Sequence, residues 1–131
     1  MTDIPTYTAA HAERLIREKK VTGEYHVTGS LDLRGCDLSG VTLPSTVSGS
    51  LYLRGAKNPD PSQWWHKNGE TRRTRCIAIC PDEGYALVQT DTDRFSAGCR
   101  ENLTREQALK HWDRSDARAK LFTAAIKGAV L

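Results

Sequence analysis

The 131-residue sequence has no long apolar run, no large excess of one charge and no cysteine framework. No stretch approaches the ~18 consecutive apolar residues of a membrane span, and residues 1–20 lack the apolar centre of a signal peptide. The net charge is only +3, unlike that of histone-like or DNA-mimicking chains. We therefore expect a globular protein of the cytoplasm, in a host cell cytosol, with no membrane partner.

The four cysteines are too few and too unevenly spaced for a disulfide framework. Cys76, Cys80 and Cys99 with His111 have the ligand types of a zinc site, but zinc-binding cysteines usually lie on a tight turn. Cys76 and Cys80 fall on one predicted strand, where four residues span roughly 13 Å. A thiol nucleophile paired with His66 or His111 is a further alternative. We favour buried thiols and predict no metal and no cofactor.

Sequence motifs of catalysis are also missing. The chain has no nucleophile elbow, Walker loop, dinucleotide-binding fingerprint or His-Glu-x-x-His motif. We therefore predict that the protein is not an enzyme and has no catalytic residues.

What the chain does contain is a repeat. Residues 27–36 read Val-Thr-Gly-Ser-Leu-Asp-Leu-Arg-Gly-Cys, and residues 47–56 read Val-Ser-Gly-Ser-Leu-Tyr-Leu-Arg-Gly-Ala, twenty residues later. Apolar residues alternate in both, which predicts strands with one apolar face. The segment Leu-Asp-Leu-Arg-Gly-Cys-Asp-Leu at 31–38 resembles the leucine-rich repeat pattern L-x-L-x-x-N/C-x-L, and Leu43-Pro44 is similar to its short bacterial type. The resemblance implies a β-solenoid with twenty residues per turn.

Two repeats are fewer than the roughly three that bury a continuous core, so other elements must close both ends. Thr8 is a helix N-cap, and the predicted helix runs to about Lys20. Three short strands are predicted at 74–80, 85–90 and 94–99. Thr104 begins a capping box, and Asp113 or Ser115 is expected to cap a last helix.

The predicted fold class is α+β: an N-terminal cap helix, a two-rung leucine-rich-repeat-like β-solenoid, then a three-stranded antiparallel meander with two C-terminal helices. The predicted domains are 1–56 for the helix and solenoid, 57–72 for an inter-lobe loop and 73–131 for the βββαα lobe.

The C-terminal half carries a second resemblance. Ser-Ala-Gly-Cys-Arg at 96–100, followed by Leu-Thr-Arg-Glu-Gln-Ala-Leu-Lys-His-Trp at 103–112, resembles small accessory proteins of phages and prophages. The resemblance implies a phage or prophage context and carries over no catalytic residue.

The outward positions of the repeat form the first candidate binding surface: Asp32, Arg34, Tyr52 and Arg54. Arg34 and Arg54 are expected side by side on strands about 4.8 Å apart, where like charges are mildly destabilising. A partner carboxylate or phosphate would relieve this repulsion. Alternatively, Asp32 and solvent screening suffice.

Two further groups complete the candidate sites. Trp64 and Trp65 are adjacent in a loop and are candidate interface anchors, or else both rings plug the end of the solenoid. Arg72, Arg73 and Arg75 are candidate phosphate-binding residues, or else a solvated face.

The resulting hypothesis is a non-enzymatic protein-interaction module, encoded by a phage or prophage. It would bind and occlude a host protein or ribonucleoprotein complex, for example as a defence-system inhibitor such as an anti-CRISPR protein. The alternative is a nucleic-acid-binding accessory protein that uses the basic C-terminal lobe.

Overall fold

The computed structural model describes residues 4–67, 70–81, 83–97 and 100–130. Within these ranges the helices are α1 (Ala9–Arg17), α2 (Arg105–His111) and α3 (Ala117–Gly128). The strands are β1 (Thr6–Thr8), β2 (His26–Thr28), β3 (Leu31–Asp32), β4 (Thr46–Val47), β5 (Leu51–Tyr52), β6 (Trp65–Lys67), β7 (Arg73–Ile79), β8 (Ala86–Thr90), β9 (Arg94–Ala97) and β10 (Arg100–Thr104).

Eight of these strands form one mixed sheet in the order β1-β2-β4-β6-β7-β8-β9-β10. Its first four strands are parallel and offset by twenty residues, since Thr6 pairs with His26, His26 with Thr46 and Thr46 with His66. From β6 onward neighbouring strands are antiparallel. The remaining strands, β3 and β5, form a small parallel sheet of their own.

The recurring Gly-Ser of the repeat is explained by a close approach of the backbone. A Cβ atom at Gly49 would lie 2.5 Å from the Ser30 Oγ and 2.8 Å from the Ser30 backbone nitrogen, which is too close for any side chain. The Gly49 N–H also donates to the Gly29 carbonyl at 3.0 Å. Only glycine at position 49 allows the two segments to stack at this distance.

The predicted fold class is wrong. In place of a two-rung leucine-rich-repeat-like β-solenoid and a three-stranded meander with two C-terminal helices, the structure has a continuous eight-stranded sheet and a two-stranded sheet. Sequence reasoning missed β1, β6 and β10, which pair through backbone N–H and C=O groups common to every residue. The strand expected at 94–99 is β9, described to Ala97, while Gly98 and Cys99 lie outside the described residues. The division at 1–56, 57–72 and 73–131 stays a prediction, although β6 falls inside the predicted loop.

The helix starts follow local capping chemistry. Thr8 caps α1 as predicted, since its side chain accepts from the His11 N–H. The capping box at Thr104 is also confirmed in both directions, with Gln107 as the reciprocal residue. The cap of α3 is Asp116 rather than Asp113 or Ser115, because its carboxylate accepts from the backbone N–H of Ala119.

Two apolar cores lie on opposite faces of β7 and β8. On β8, Ala86 and Val88 pack with the first core and Leu87 with the second, as strand alternation requires. On β7 a bulge between Cys76 and Ala78 interrupts this alternation, so these two residues face different cores. The first core includes Tyr25, Leu31, Leu33, Leu53 and Trp65. The second core includes Leu87, Phe95, Trp112, Phe122 and Ile126.

Candidate interaction cleft

Strand β5 has an open edge. Leu31 lies opposite Leu51 in the parallel β3–β5 pair, and the Leu31 N–H donates to the Ser50 carbonyl at 2.8 Å. The Leu33 N–H donates to the Tyr52 carbonyl at 2.9 Å. This alternation directs the N–H and C=O of Leu51 away from β3. In the part of the chain that the structure describes, no strand pairs with that side of β5, so the edge can accept another strand.

The open edge borders a cleft of ≈ 530 Å³ between β5 and the antiparallel strands. We call it the β5 cleft. Residues before, within and after β5 form one wall, and residues of β8, β9 and β10 form the other. The lining residues are Arg34, Leu51, Tyr52, Leu53, Arg54, Ala86, Val88, Ser96, Ala97 and Glu101. The Tyr52 side chain is 48% exposed here, which makes it an accessible aromatic contact for a partner.

The cleft continues past Leu51 and Val88 into a second part of ≈ 400 Å³. Lys67, Glu70 and Arg72 are among the residues that line this extension. Over both parts, four cationic side chains face two carboxylates, since Arg34 and Arg54 join Lys67 and Arg72 against Glu70 and Glu101. The cleft therefore carries a net positive charge.

Asp32 and Arg34 form a two-point ion pair at the rim of the cleft. Arg34 Nε donates to Asp32 Oδ1 at 2.8 Å, and Arg34 Nη2 donates to Oδ2 at 2.7 Å. The hydrogen bond from the Arg34 side chain is the main cause that lowers the pKa of Asp32 to about 2. Asp32 thus offsets the charge of Arg34 within the chain, which is one of the two explanations that the sequence left open.

Arg54 also lines the cleft, and its guanidinium group packs over Tyr85. Its guanidinium carbon lies 4.8 Å from the centre of the Tyr85 ring, and Arg118 lies over the same ring at 5.1 Å. The Arg34 guanidinium lies 5.9 Å from the Tyr52 ring. The two arginines of the repeat are therefore held by different partners instead of stacking on each other. The predicted set Asp32, Arg34, Tyr52 and Arg54 is nevertheless brought together along one rim.

The two tryptophans lie apart from that rim. Trp65 is only 7% exposed and belongs to the first core, although one side of it reaches the extension of the cleft. Trp64 is half-buried, and the guanidinium groups of Arg73 and Arg75 lie over its ring at 5.0 and 4.7 Å. Neither ring is exposed in the way that Tyr52 is.

The structure also separates the three arginines predicted to bind phosphate. Arg72 lines the extension of the cleft and lies 3.5 Å from the Glu70 carboxylate. Arg73 approaches the Asp91 carboxylate at 3.5 Å. Arg75 donates two hydrogen bonds to the buried Gln89, and burial lowers its pKa. Each guanidinium is engaged within the chain, so the three do not converge on one phosphate position.

The structure describes three of the four cysteines considered for a zinc site or a thiol nucleophile. Cys36, Cys76 and Cys80 are buried, and burial raises the pKa of the Cys76 thiol to about 12, which suppresses the reactive thiolate. Cys76 and Cys80 belong to different cores. Cys99, the third thiol of the zinc alternative, lies outside the described residues. Within the described ranges, no group of three or more His, Cys, Asp or Glu side chains is placed to hold a metal ion.

Sequence reasoning missed the far wall of the cleft. Val88, Ser96 and Glu101 face the repeat across the cleft, but they are distant from it in sequence. The β10 sequence Arg-Glu-Asn-Leu-Thr has no apolar alternation, so no local signal marked Glu101 as part of a strand.

Comparisons of the chain with protein-family models, with curated proteins and with solved structures found no match. Within the described residues, the fold and the site are those of a small mixed-sheet protein with an unpaired strand edge in a positively charged cleft. None of the helices in the described ranges is long and apolar enough to cross a membrane.

Proposed function

We propose that the protein is a non-enzymatic interaction module that binds an extended segment of a host macromolecular complex in the β5 cleft and thereby occludes it. The observation that carries this proposal is the open edge of β5 beside a cleft of ≈ 530 Å³. A peptide that adds to a sheet edge gains main-chain hydrogen bonds, and its alternate side chains enter neighbouring pockets.

The chemistry of the cleft selects the kind of segment. Leu51 offers a backbone donor and acceptor, while Tyr52 offers an accessible ring. Arg34 is already paired with Asp32, so Arg54 and Lys67 are the cations that favour an acidic side chain in the partner. The preferred ligand is therefore an extended protein segment that carries at least one carboxylate.

A protein partner is favoured over nucleic acid. Nucleic-acid affinity depends mainly on cations that reach several phosphates at once. Arg73 and Arg75 are instead committed to Asp91, Gln89 and the Trp64 ring.

The biological setting of the proposal rests on the sequence resemblance to phage and prophage accessory proteins. In that setting the protein acts in the host cytosol, and the occluded partner is a protein or ribonucleoprotein complex of a bacterial defence system. An anti-CRISPR activity is the most concrete form of this proposal.

The test is affinity purification from bacterial extracts with cleft variants and quantitative mass spectrometry. Tyr52→Ala should weaken retention of the partner about 30-fold, because a central interface tyrosine commonly contributes about 2 kcal/mol. Leu51→Pro and Leu51→Ala form a matched pair. Both remove the leucine side chain, but only proline removes the N–H that faces the cleft.

We expect Leu51→Pro to release the partner more completely than Leu51→Ala, with both variants shown to be folded by circular dichroism. Lys120→Ala is the surface control, since Lys120 is exposed on α3 and lines no part of the cleft. If every retained protein binds the folded Tyr52→Ala and Leu51→Pro variants as well as it binds Lys120→Ala, the proposal is wrong.

A further inference from the structure

A second concave site is lined by Tyr85, the residue over which Arg54 of the β5 cleft packs. It is a pocket of ≈ 200 Å³ between the β9–β10 region and the two C-terminal helices. Its apolar wall includes Trp112 and Phe122, whose rings meet edge to face at a centroid distance of 5.3 Å. The His111 ring stands at 77° to the Trp112 ring, 5.0 Å away. Trp112 and Phe122 are only 3% and 1% exposed, so they form the buried base of the pocket.

The polar side of this pocket is cationic. Arg100, His111 and Arg118 line it, and among the described residues no lining residue is a carboxylate. Arg118 Nη1 donates to Glu83 Oε2 at 2.5 Å, whereas the buried Arg118 Nε has no hydrogen-bond partner among the residues that the structure describes. Arg100 forms no ion pair with any residue that the structure describes. Among the described residues, two guanidinium groups and an imidazole thus share the pocket with one carboxylate at its edge.

We propose that this pocket binds a small organic anion, with its carboxylate or phosphate group against Arg100 and Arg118 and a flat apolar group against Trp112 and Phe122. Guanidinium groups favour these oxyanions because they donate two parallel, charge-assisted hydrogen bonds. The volume excludes a drug-sized or nucleotide-sized ligand, since pockets for such molecules are about 300–1,000 Å³. This pocket adjoins the β5 cleft, since Ala97 lines both, but none of its charged residues lines the cleft. The proposal does not depend on the function proposed for the cleft.

The protonation of His111 supports the same assignment. Burial lowers the pKa of His111, and the positive charges of Arg100, Arg114 and Arg118 lower it further. Glu83, in the turn before β8, reaches this group of charges through its pair with Arg118. A bound anion would offset the repulsion from the arginines, so binding should raise the pKa of His111.

The experiment is an NMR titration of the His111 ring in the full chain, with benzoate and phenyl phosphate as probes. Benzyl alcohol is the neutral control for benzoate, and inorganic phosphate is the control without an apolar group. We expect saturable shifts with both organic anions and a higher pKa of His111 in their presence. Inorganic phosphate should bind at least about tenfold more weakly than phenyl phosphate, and benzyl alcohol should not raise the pKa.

Three substitutions locate the site. Arg100→Met and Arg118→Met should each weaken benzoate binding about tenfold or more, the effect of losing one charge-assisted contact. Arg114→Met is the matched control, because Arg114 also acts on His111 but pairs with Asp116 at 3.2 Å and does not line the pocket. Arg100 is exposed, so its variant tests the site even if Arg118→Met fails to fold.

Four results would overturn the proposal. They are the absence of saturable shifts with both organic anions, equal binding of benzyl alcohol and benzoate, equal binding of inorganic phosphate and phenyl phosphate, and an Arg114→Met effect as large as that of Arg100→Met. Unchanged benzoate binding in Tyr52→Ala would support a site distinct from the cleft.

Discussion

Replacing Gln89 by methionine should destabilise the protein, because this one buried amide joins two charged side chains. Gln89 lies on β8 and is 0% exposed. Its Oε1 accepts from Arg75 Nε at 3.0 Å and from Arg75 Nη2 at 2.7 Å, and its Nε2 donates to Asp93 Oδ1 at 2.9 Å. Methionine has a similar length and fills the same space, but it cannot replace these three hydrogen bonds.

The magnitude follows from what each partner retains. Hydrogen bonds to charged groups contribute about 1.5–3 kcal/mol each, but losses within one network are not additive. Arg75 keeps its bonds to the Pro61 and Val130 carbonyls. Asp93 keeps two bonds from Arg105. We therefore expect a loss of about 2–3 kcal/mol in the free energy of unfolding, or roughly 6–12 °C in Tm for a chain of this size.

The assay is equilibrium unfolding in urea, followed by far-UV circular dichroism. Gln89→Ala should lose more stability than Gln89→Met, because it adds a cavity to the same loss of hydrogen bonds. In a double-mutant cycle, Gln89→Met should cost less in an Arg75→Met background, where two of the three bonds are already absent.

Two results would refute this reasoning. One is a Gln89→Met variant within about 0.5 kcal/mol of the original chain, which is the usual range of a neutral surface change. The other is strict additivity of Gln89→Met and Arg75→Met, which would show that the two side chains are not coupled.

Two further predictions concern a turn and a carboxylate. Gly84→Ala should cost about 2–5 kcal/mol, because its Cβ would lie 2.8 Å from the Gly55 nitrogen at a φ of +80°. Gly23 shares the positive φ, but its Cβ would have no neighbour within 4 Å, so Gly23→Ala should cost only about 1 kcal/mol. If the two variants lost equal free energy of unfolding in urea, the steric argument for Gly84 would be wrong. Hydrogen bonds from Arg105 lower the pKa of Asp93, so its contribution to stability is present above the unfolded pKa of about 3.9 and is lost as pH falls through the folded pKa. Urea unfolding from pH 6 to pH 2 should show that the free energy of unfolding falls less toward low pH in Asp93→Asn than in the original chain. An identical pH dependence in both would contradict this assignment.

Local chemistry made parts of the fold predictable. The Thr8 cap and the Thr104 capping box depend on residues within one turn of helix, and both are confirmed. The placement of Asp32 beside Tyr52 follows from the twenty-residue repeat and from strand alternation. Such features could be predicted from the sequence because they depend only on neighbouring positions or on a repeated pattern.

Long-range pairing was not predictable in the same way. Strand β6 joins the parallel and antiparallel parts of the sheet, yet its sequence Trp-His-Lys looked like part of a loop. Its pairing with β4 and β7 buries Trp65, for which the sequence left open either an interface anchor or a buried plug. The bulge in β7 likewise assigns Cys76 and Ala78 to different cores against simple alternation.

The sequence by itself determined the period of twenty residues, the caps of α1 and α2 and the outward side of the repeat that carries Asp32, Arg34, Tyr52 and Arg54. These follow from side-chain alternation and local hydrogen bonding, which act within a few residues. Only the tertiary structure decided that β5 keeps an open edge and that Glu101 lies across the cleft from Arg54. The physical reason is that backbone hydrogen bonding between distant strands is nearly independent of residue type, so the partner of each strand is selected by the packing of the whole chain.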